Sequence, residues 1–241
     1  MKLFLTSSTG CVIRTEEGYF PREFDKRNQF DDRLRAALPE PVNCLMISSD
    51  PDDKEMNRGM KELTGESFRL SNIDIKSIEI CERHNCGQLR EMLAAADLVY
   101  LCGGHVPTQN RFFKEINLAE YLQNYHGVIV GVSAGSMNCA SVVYAQPELE
   151  GEATDPAYKR FISGLGLTDI TILPHYQELA GATLDGLGII ADIGIPDSYV
   201  HAYYALPDGS YVLIENGKTE LYGDYYYICG GAVKEYKSDS E

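Results

Sequence analysis

Short apolar runs alternate with helical patterns in the first half of the chain, and this alternation restricts the fold most. The strand-like runs are KLFLTSS, VNCLMISS, IKSIEIC, LVYLCGG and GVIVGVS. Segments with helical periodicity, such as FDDRLRAAL, QLREMLAAA and the long amphipathic RFFKEINLAEYLQNY, lie between them. A strand–helix–strand order predicts parallel strands, and apolar runs without alternation are typical of strands covered on both faces. The sequence therefore predicts an α/β fold, a doubly wound and mostly parallel sheet flanked by helices.

The pattern changes after residue 195 to Tyr-rich runs in which apolar and polar residues alternate. Asn216-Gly217 between two such runs predicts a type I′ turn, because that turn needs positive φ at both central residues. We therefore expect a C-terminal antiparallel hairpin region with a structural role. No segment of the chain has the composition of a linker, so residues 1-241 are expected to form a single domain. The last five residues, KSDSE, are expected to be frayed.

Charge and hydropathy exclude several classes of protein. The chain has 36 Asp and Glu residues against 21 Lys and Arg residues, a formal net charge of -15 that repels nucleic acid. No apolar run approaches the roughly 20 residues that span a bilayer, and the N-terminus is too short for a signal-peptide core. We therefore expect a cytoplasmic protein that binds no membrane.

Cysteine usage points to reduced thiols. The seven cysteines are an odd number, and several lie in apolar strand-like runs, which argues against a disulfide framework. Cys81, His84 and Cys86 could be metal ligands, but they lack a fourth ligand nearby. We expect no metal and no cofactor.

Residues 128 to 136, VIVGVSAGS, begin like a core strand but continue with small residues where bulky side chains are expected. Gly131-Val132-Ser133-Ala134-Gly135 fits G-x-S-x-G, the nucleophile elbow, in which a serine occupies a tight strand-to-helix turn. SAGSMNCASVVY follows as a predicted small-residue helix, whose N-terminal N–H groups would face an anion formed beside Ser133. Ser133 is therefore the predicted nucleophile, and a tightly packed structural turn is the alternative.

A serine hydroxyl needs a base to take its proton, and a histidine is the usual base. His175 lies in DITILPHY, at the end of an apolar run and directly after Pro174. We expect it at the carboxyl edge of the sheet, beside Ser133. His201 in the hairpin region is the second choice.

The base needs a carboxylate acceptor, and an oxyanion needs a second N–H donor. The residues alone leave the acceptor open among Glu148, Glu150, Glu152, Asp155 and Asp208. Gly103-Gly104 closes the run LVYLC, and backbone without a side chain can approach a carbonyl oxygen closely. A plain strand-ending turn is the alternative for these glycines.

Three segments together, LCGGH, GVSAGS and LPHY, resemble the dipeptidase E and cyanophycinase group of serine peptidases. That group pairs a GGN-type loop, a G-x-SAG elbow and a strand-ending PH[FY] histidine. The resemblance covers residues from about 95 to 210, in the same order and at similar spacings. It implies the doubly wound fold of class I glutamine amidotransferases, with Ser133 as nucleophile and His175 as base. Gly104 and Ala134 would supply the oxyanion N–H groups.

The resemblance also suggests an acid. In aspartyl dipeptidases the proposed acid lies fifteen residues after the serine, and this spacing falls on Glu148 here. Asp208 in ALPDG matches a family segment that often carries an acidic residue, and it is the fallback. Glu148 is therefore the first choice for the acid.

Two departures from the family bear on the substrate. The Asn that follows the paired glycines is His105 here, so Gly103 and His105 are predicted to line the substrate site with a changed polar surface. Aspartyl dipeptidases place an Arg beyond the catalytic histidine, whereas no Arg follows Arg160 in this chain. Glu178 and Asp185 would repel a substrate carboxylate if they face the site.

We therefore predict a serine hydrolase that cleaves small peptides through an acyl-enzyme, with a preference other than Asp-X. The partner is a small peptide substrate, and the protein is expected to be a monomer or homodimer. One alternative is an α/β-hydrolase-type esterase. In that class the catalytic histidine follows the last strand, so His201 would be the base. The other is a non-catalytic protein that binds a peptide or anion on the same scaffold.

Overall fold

A seven-stranded sheet forms the centre of the structure, a computed structural model that describes residues 1–238 of the chain. The strands within these residues are β1 Lys2–Thr6, β2 Val12–Thr15, β3 Gly18–Pro21, β4 Val42–Ile47, β5 Ile75–Cys81, β6 Leu98–Leu101, β7 Val128–Val132, β8 Val142–Tyr144, β9 Phe161–Ser163, β10 Ile172–Leu173, β11 Thr183–Leu184, β12 Leu187–Gly188, β13 Tyr203–Ala205, β14 Tyr211–Glu215, β15 Lys218–Tyr222, β16 Tyr225–Cys229 and β17 Ala232–Tyr236. The α-helices are α1 Phe30–Ala37, α2 Lys54–Leu70, α3 Leu89–Ala95, α4 Val106–Glu115, α5 Leu118–Leu122, α6 Ala134–Met137, α7 Tyr176–Leu179 and α8 Ile195–Asp197. Other helical turns are the 3-10 segments Arg27–Gln29 and Cys86–Gln88 and the π-helix Ile189–Gly194.

The central sheet is mostly parallel. Its strands lie in the order β15-β14-β1-β7-β6-β4-β5. Every neighbouring pair from β1 to β5 in this order is parallel, whereas β14 and β15 are antiparallel at one edge. Helices connect several of the parallel strands, as in α2 between β4 and β5. The predicted α/β fold with a mostly parallel sheet is confirmed.

Apolar side chains cover both faces of the central sheet. In β6, Val99 and Leu101 belong to one hydrophobic cluster, and Leu98 and Tyr100 belong to the other. Successive strand residues point to opposite faces, so a run without alternation supplies both clusters. Helices α3 to α6 contribute to the first cluster, and α1 and α2 contribute to the second. None of the helices in residues 1–238 is both long and apolar enough to cross a membrane.

The C-terminal strands divide between two sheets. Asn216 and Gly217 have φ values of 54° and 76°, as the predicted type I′ turn requires, and they join β14 to β15 at the edge of the central sheet. Strands β16 and β17 pair with β13 and β10 in a four-stranded sheet of order β10-β13-β16-β17. The expected fraying of the last five residues, 237–241, stays a prediction, and residues 239–241 lie outside the described residues.

Two predicted helices are shorter than their sequence patterns. The amphipathic segment RFFKEINLAEYLQNY is interrupted at Asn117, whose φ of 52° is left-handed and cannot continue a right-handed helix. The small-residue helix ends at Met137, and the side chain of the next residue, Asn138, donates to the Val106 carbonyl at 3.2 Å and to Gln109 Oε1 at 3.0 Å. These bonds tie the chain to α4, and it continues into β8 instead.

Two glycines allow helix α6 to approach the central sheet. A Cβ on Gly131 would lie 2.6 Å from Ser136 Cα, and a Cβ on Gly135 would collide with the carbonyl oxygen of Leu101. Both obstacles are backbone atoms or buried groups that cannot move without shifting the sheet. The glycines therefore meet a steric requirement of the strand-to-helix turn, as the sequence pattern indicated.

We expect Gly135→Ala to lower the free energy of unfolding by about 1–3 kcal/mol, because the added methyl group overpacks α6 against β6. Chemical denaturation measures this loss. Gly59→Ala is the matched control, since Gly59 lies inside α2 with no atom near its Cβ position. That control should gain up to about 1 kcal/mol from the lower backbone entropy of the unfolded chain. Equal stability of the two variants would contradict the steric argument.

Candidate active site

Ser133 occupies the turn between β7 and α6 in a strained backbone conformation. Its φ and ψ are 49° and −114°, which are unfavourable for a residue with a side chain. The Ser133 N–H donates to the Thr6 carbonyl at 3.1 Å, and the Ser136 hydroxyl donates to the same oxygen at 2.8 Å. The end of β1 thus holds the turn in place.

His175 lies next to Ser133. Its Nε2 is 3.0 Å from Ser133 Oγ, within hydrogen-bond distance. His175 precedes α7 and has a left-handed backbone, with φ 56° and ψ 33°. Its N–H donates to Ser7 Oγ at 2.8 Å, which fixes this conformation. The structure thus brings together the two residues that the sequence selected as nucleophile and base.

Asp208 contacts the other ring nitrogen of the histidine. Its Oδ1 is 2.8 Å from His175 Nδ1 and accepts a second hydrogen bond from Ser7 Oγ at 2.7 Å. The Asp208 N–H donates to Gln177 Oε1 at 2.9 Å. The first choice for the acid, Glu148, makes no hydrogen bond to His175 among residues 1–238. The fallback, Asp208, holds this position.

Strand pairing explains why Asp208 reaches the histidine. β10 and β13 are parallel, with Leu173 opposite Ala205, and the Tyr176 N–H donates to the Leu206 carbonyl at 3.2 Å. The segments after both strands therefore run side by side. β10 belongs to the four-stranded sheet rather than to the central sheet, so the histidine comes to Ser133 from a neighbouring sheet.

Charge and burial act in opposite directions on the pKa values of His175 and Asp208. Burial alone would lower the pKa of His175, but the hydrogen bond and negative charge of Asp208 outweigh it, with smaller contributions from Glu178 and Glu148. The pKa of His175 therefore lies above its usual 6.5. Burial would raise the pKa of Asp208, but hydrogen bonds from His175 and Ser7 lower it below its ordinary value. The geometry therefore favours a carboxylate beside the imidazole.

Gly104 and Ala134 lie next to the serine site, and their backbone N–H groups donate to no acceptor within residues 1–238. Ala134 begins α6 directly after Ser133, and Gly104 lines the cleft in front of the serine. A Cβ on Gly104 would lie 2.5 Å from Ser49 Oγ, so this position requires glycine. Two N–H groups with this placement can donate to a developing oxyanion.

Gly103 and His105, which were predicted to line the substrate site, are not among the residues that line the cleft. Gly103 packs against the serine, with its Cβ position 3.4 Å from Ser133 Cβ. The His105 ring is 2.9 Å from Thr108 Oγ1 through Nδ1 and 2.9 Å from Glu152 Oε1 through Nε2. His105 therefore does not line the cleft and instead connects the Gly103-Gly104 segment to the loop that contains Glu152.

A cleft of about 290 Å³ opens beside the serine. Its walls are formed by Gly104, Ser133, Met137, Gln146, Glu148, Leu173, Pro174, His175, Glu178 and Leu179. The charged side chains among them are the carboxylates Glu148 and Glu178 and the imidazole of His175. Desolvation and the charge of Glu152 raise the pKa of Glu148 to about 7, although part of its side chain reaches solvent.

Two other candidate residues, His201 and Asp185, have structural contacts elsewhere. The His201 Nε2 is 3.0 Å from Thr171 Oγ1, and its ring packs edge-on against Phe161. Asp185 accepts hydrogen bonds from the N–H groups of Gly151 and Ala153, so it holds a loop and does not face the cleft. All seven cysteines are unpaired. Across residues 1–238, no group of three or more His, Cys, Asp or Glu side chains is arranged to hold a metal ion.

Comparison with known proteins identifies the family. The family model of peptidase family S51 matches residues 56–222, more than half of the chain. The chain belongs to peptidase family S51. The match includes both glycines of the Gly103-Gly104 segment, the Ser133 turn, His175 and Asp208. The resemblance to the dipeptidase E group is therefore confirmed, and the protein is a peptidase.

Solved structures share the fold of this S51 peptidase at low sequence identity. A peptidase from an acI-B1 Actinobacterium is similar with a TM-score of 0.63 and 15% identity, over 99% of this chain and 95% of that chain. A putative peptidase E protein from Listeria monocytogenes has a TM-score of 0.59 and 15% identity, over 91% of this chain and 96% of that chain. No protein in the curated set matches.

Ser7 is a residue of the site that none of the sequence motifs identifies. This residue is fully buried at the end of β1, and its hydroxyl contacts both the His175 backbone and the Asp208 carboxylate. A polar residue that ends a strand next to the Ser133 strand was the signal that could have identified it. Ser7 thus positions His175 and Asp208 relative to each other.

We expect Ser7→Ala to lower the free energy of unfolding by about 1–3 kcal/mol, because the buried His175 N–H loses its acceptor. The pKa of Asp208 should rise, since the Ser7 hydrogen bond lowers it. Chemical denaturation and NMR titration of the carboxyl group measure these effects. Ser8→Ala is the control, because the hydroxyl that it removes accepts only a local hydrogen bond from the Gly10 N–H. An equal loss of unfolding free energy in Ser7→Ala and Ser8→Ala would contradict the positioning role of Ser7.

Proposed function

We propose that this S51 peptidase is a serine hydrolase that cleaves small peptides through an acyl-enzyme at Ser133. The observation that carries this proposal is the row of three side chains Ser133, His175 and Asp208, joined by contacts of 3.0 and 2.8 Å. A hydroxyl, an imidazole and a carboxylate in this order can exchange a proton along their contacts. The strained strand-to-helix turn then acts as a nucleophile elbow.

The reaction begins when His175 Nε2 takes the proton of Ser133 Oγ and the oxygen attacks the peptide carbonyl. The Gly104 and Ala134 N–H groups stabilise the negative oxygen of the tetrahedral intermediate. The imidazolium gives its proton to the amine nitrogen, the C–N bond breaks, and an acyl-enzyme remains. Water then attacks the ester with His175 as base, and the carboxylic acid product leaves Ser133 free.

Asp208, and not Glu148, is the acid of the proposed triad. Its carboxylate accepts the Nδ1–H of His175, so Nε2 carries the lone pair that faces the serine. The negative charge of Asp208 also stabilises the imidazolium that forms during attack. Ser7 and Gln177 contact Asp208 and hold it in this orientation.

The proposed substrates are small peptides without an acidic side chain at the cleft. A volume of about 290 Å³ lies just below the roughly 300–1,000 Å³ of pockets for drug-sized ligands. The walls contain two carboxylates, Glu148 and Glu178, and no Lys or Arg. A substrate carboxylate would be repelled there and would find no bidentate partner, so a preference for Asp-X peptides is not part of the proposal. A cytoplasmic location fits the seven unpaired cysteines.

Labelling with a neutral fluorophosphonate tests the nucleophile and the base together. Ser133→Ala should abolish labelling, because the probe bonds to the serine oxygen. His175→Ala should slow labelling by roughly 10²–10⁴-fold, because the general base is lost. Ser141→Ala and His201→Ala are matched controls in which labelling should persist, since both side chains have partners outside the cleft.

Circular dichroism of the four variants verifies that each one is folded. If labelling is lost in His201→Ala and retained in His175→Ala, the proposal is wrong and the esterase alternative is supported. If the folded wild-type protein neither reacts with the probe nor cleaves any member of a dipeptide panel, the non-catalytic binding alternative holds.

The pH dependence of hydrolysis reports on His175. For a peptide with neutral side chains, kcat/KM should rise with pH through a midpoint above 6.5, because only the neutral imidazole accepts a proton and its pKa is raised. Glu148, with a pKa of about 7, titrates in the same range, so the profile is measured in Glu148→Gln. Adding Asp208→Asn should move the midpoint to lower pH, because burial, which lowers the pKa, then dominates. An unchanged midpoint would contradict the pairing with Asp208.

A further inference from the structure

We propose that three buried amide side chains, Gln109, Asn110 and Asn138, set the distance between the two N–H groups that are proposed to bind the oxyanion. They are positioning residues, since none of them lines the cleft and they act through the backbone of Gly104 and Ala134. We call these three side chains the amide row. This inference rests on the proposed function, because the oxyanion site belongs to that reaction.

The two proposed oxyanion donors lie on separate segments of the chain. Gly104 follows β6 and precedes α4, whereas Ala134 follows β7 and begins α6. β6 and β7 are parallel neighbours, so both segments leave the same edge of the central sheet. The register of the two strands ends with Leu101 opposite Gly131, before either donor is reached. The distance between the donors therefore depends on how the segments beyond the strands are joined.

Gln109, in the first turn of α4, joins the Gly104 segment to the residue that follows α6. Its Nε2 donates to the Cys102 carbonyl at 2.6 Å, which ties α4 to the chain two residues before Gly104. Its Oε1 accepts a hydrogen bond from Asn138 Nδ2 at 3.0 Å. Asn138 Nδ2 also donates to the Val106 carbonyl at 3.2 Å, at the start of α4. One amide thus contacts the segment on both sides of the first donor, and the other contacts α4.

Asn138 carries the connection to the second donor. It directly follows α6, and its N–H donates to the Ala134 carbonyl at 2.9 Å. Its Oδ1 accepts a hydrogen bond from Asn110 Nδ2 at 2.8 Å, and Asn110 Nδ2 also donates to the Ser163 carbonyl at 3.0 Å. The Asn138 carbonyl accepts the Leu165 N–H at 2.8 Å. A single helical turn therefore separates the amide row from the Ala134 N–H.

The amide row is buried, and its members satisfy one another. Gln109 and Asn138 are 0% exposed and Asn110 is 4% exposed, although Phe113 and Met137 on the same helices belong to an apolar cluster. Apolar side chains of similar volume would also fill this space, without the cost of burying amides. They would not supply direction, whereas each amide hydrogen bond requires one orientation and one distance. The row therefore specifies a single arrangement of α4 against α6.

The reaction is sensitive to this arrangement. An oxyanion site stabilises the negative oxygen when its donors lie about 2.7–3.1 Å from that oxygen. A small shift of α4 would lengthen the hydrogen bond from Gly104 and leave the hydrogen bond from Ala134 in place. Because the oxygen becomes negative only during attack, such a shift should lower kcat and leave KM nearly unchanged.

Gln109→Met tests the amide row, because methionine has a similar volume and no amide. We expect kcat for a neutral peptide to fall by about 10-fold or more, with KM within about 2-fold of the wild-type value. A peptide aldehyde forms a hemiacetal with Ser133 whose oxygen occupies the oxyanion site, so its inhibition constant should rise by the same factor as kcat falls. An unchanged kcat, or a loss carried only by KM, would overturn the proposal.

Asn110→Leu is the second variant, and it decides the question if Gln109→Met does not fold. It removes the donor to Asn138 Oδ1 and leaves both hydrogen bonds of Gln109 in place. We expect a smaller fall in kcat in the same direction, again with KM nearly unchanged. An unchanged kcat in folded Asn110→Leu would contradict a row that acts as a unit.

Asn43→Leu is the matched control. The Asn43 amide is also bonded at both ends, since its Nδ2 donates to Asp97 at 3.0 Å and its Oδ1 accepts the Ser77 hydroxyl at 2.9 Å. It lies near the start of β4, at the edge of the central sheet opposite to Ser133. Its loss should lower the free energy of unfolding, measured by chemical denaturation, and leave kcat and the aldehyde inhibition constant unchanged. An equal fall of kcat in Asn43→Leu would overturn the positioning role.

NMR spectra of nitrogen-15-labelled protein separate this inference from the proposed function, because they need no turnover. The amide resonances of Gly104 and Ala134 should shift in Gln109→Met and keep their positions in Asn43→Leu. Unshifted resonances in Gln109→Met overturn the positioning role even when the wild-type protein is labelled at Ser133 and cleaves peptides. Shifted resonances, with no labelling of the wild-type protein, support the positioning role and contradict the serine mechanism.

Discussion

The parallel pairing of three neighbouring strands is the constraint on which the site depends. β1, β7 and β6 end at the same edge of the central sheet, with Thr6 opposite Val132 in the register. The chain segments that leave these ends carry Ser7, Ser133 and Gly103-Gly104. Because side chains beyond the carboxyl ends of parallel strands meet at one edge, residues far apart in sequence come into contact there. The proposed nucleophile and both oxyanion donors are placed by this sheet.

The proposed base and acid come from a different sheet. β10 and β13 are parallel neighbours, so the segments that follow them carry His175 and Asp208 side by side. Ser7 connects the two sheets, since it belongs to the end of β1 and contacts both of these residues. The geometry of the proposed triad therefore depends on how the small sheet packs against the central one. Ser7 is the residue through which that packing acts on the triad.

The parts of the site that short sequence patterns describe could be predicted. Ser133 was found from the spacing of glycines around it, and His175 from its position after an apolar run. The acid could not be chosen in this way, because a count of residues from the serine leads to Glu148. The carboxylate that contacts His175 belongs to Asp208, which lies 33 residues after His175 in the chain. The pairing of β10 with β13 brings the two residues together.

The same limit applies to the orientation of side chains. The sequence placed His105 next to the glycines of the predicted oxyanion loop, and from there it was expected to line the cleft. Its ring instead faces Glu152, 47 residues away, whose carboxylate also holds the backbone of Glu148. The mostly parallel fold could be predicted more completely, because apolar periodicity in each segment reflects burial on both faces of a sheet.

Backbone strain shows why the end of β1 is indispensable to the site. Ser133 and His175 both have positive φ, and such a conformation costs about 1–3 kcal/mol for a residue with a side chain. Each strained N–H donates to an acceptor on β1 or directly after it, Thr6 and Ser7 respectively. A buried N–H without its acceptor would add a cost of similar size, so these two bonds prevent relaxation to ordinary backbone angles. The two side chains proposed to exchange a proton are thus held at 3.0 Å by an N-terminal strand that carries no catalytic motif of its own.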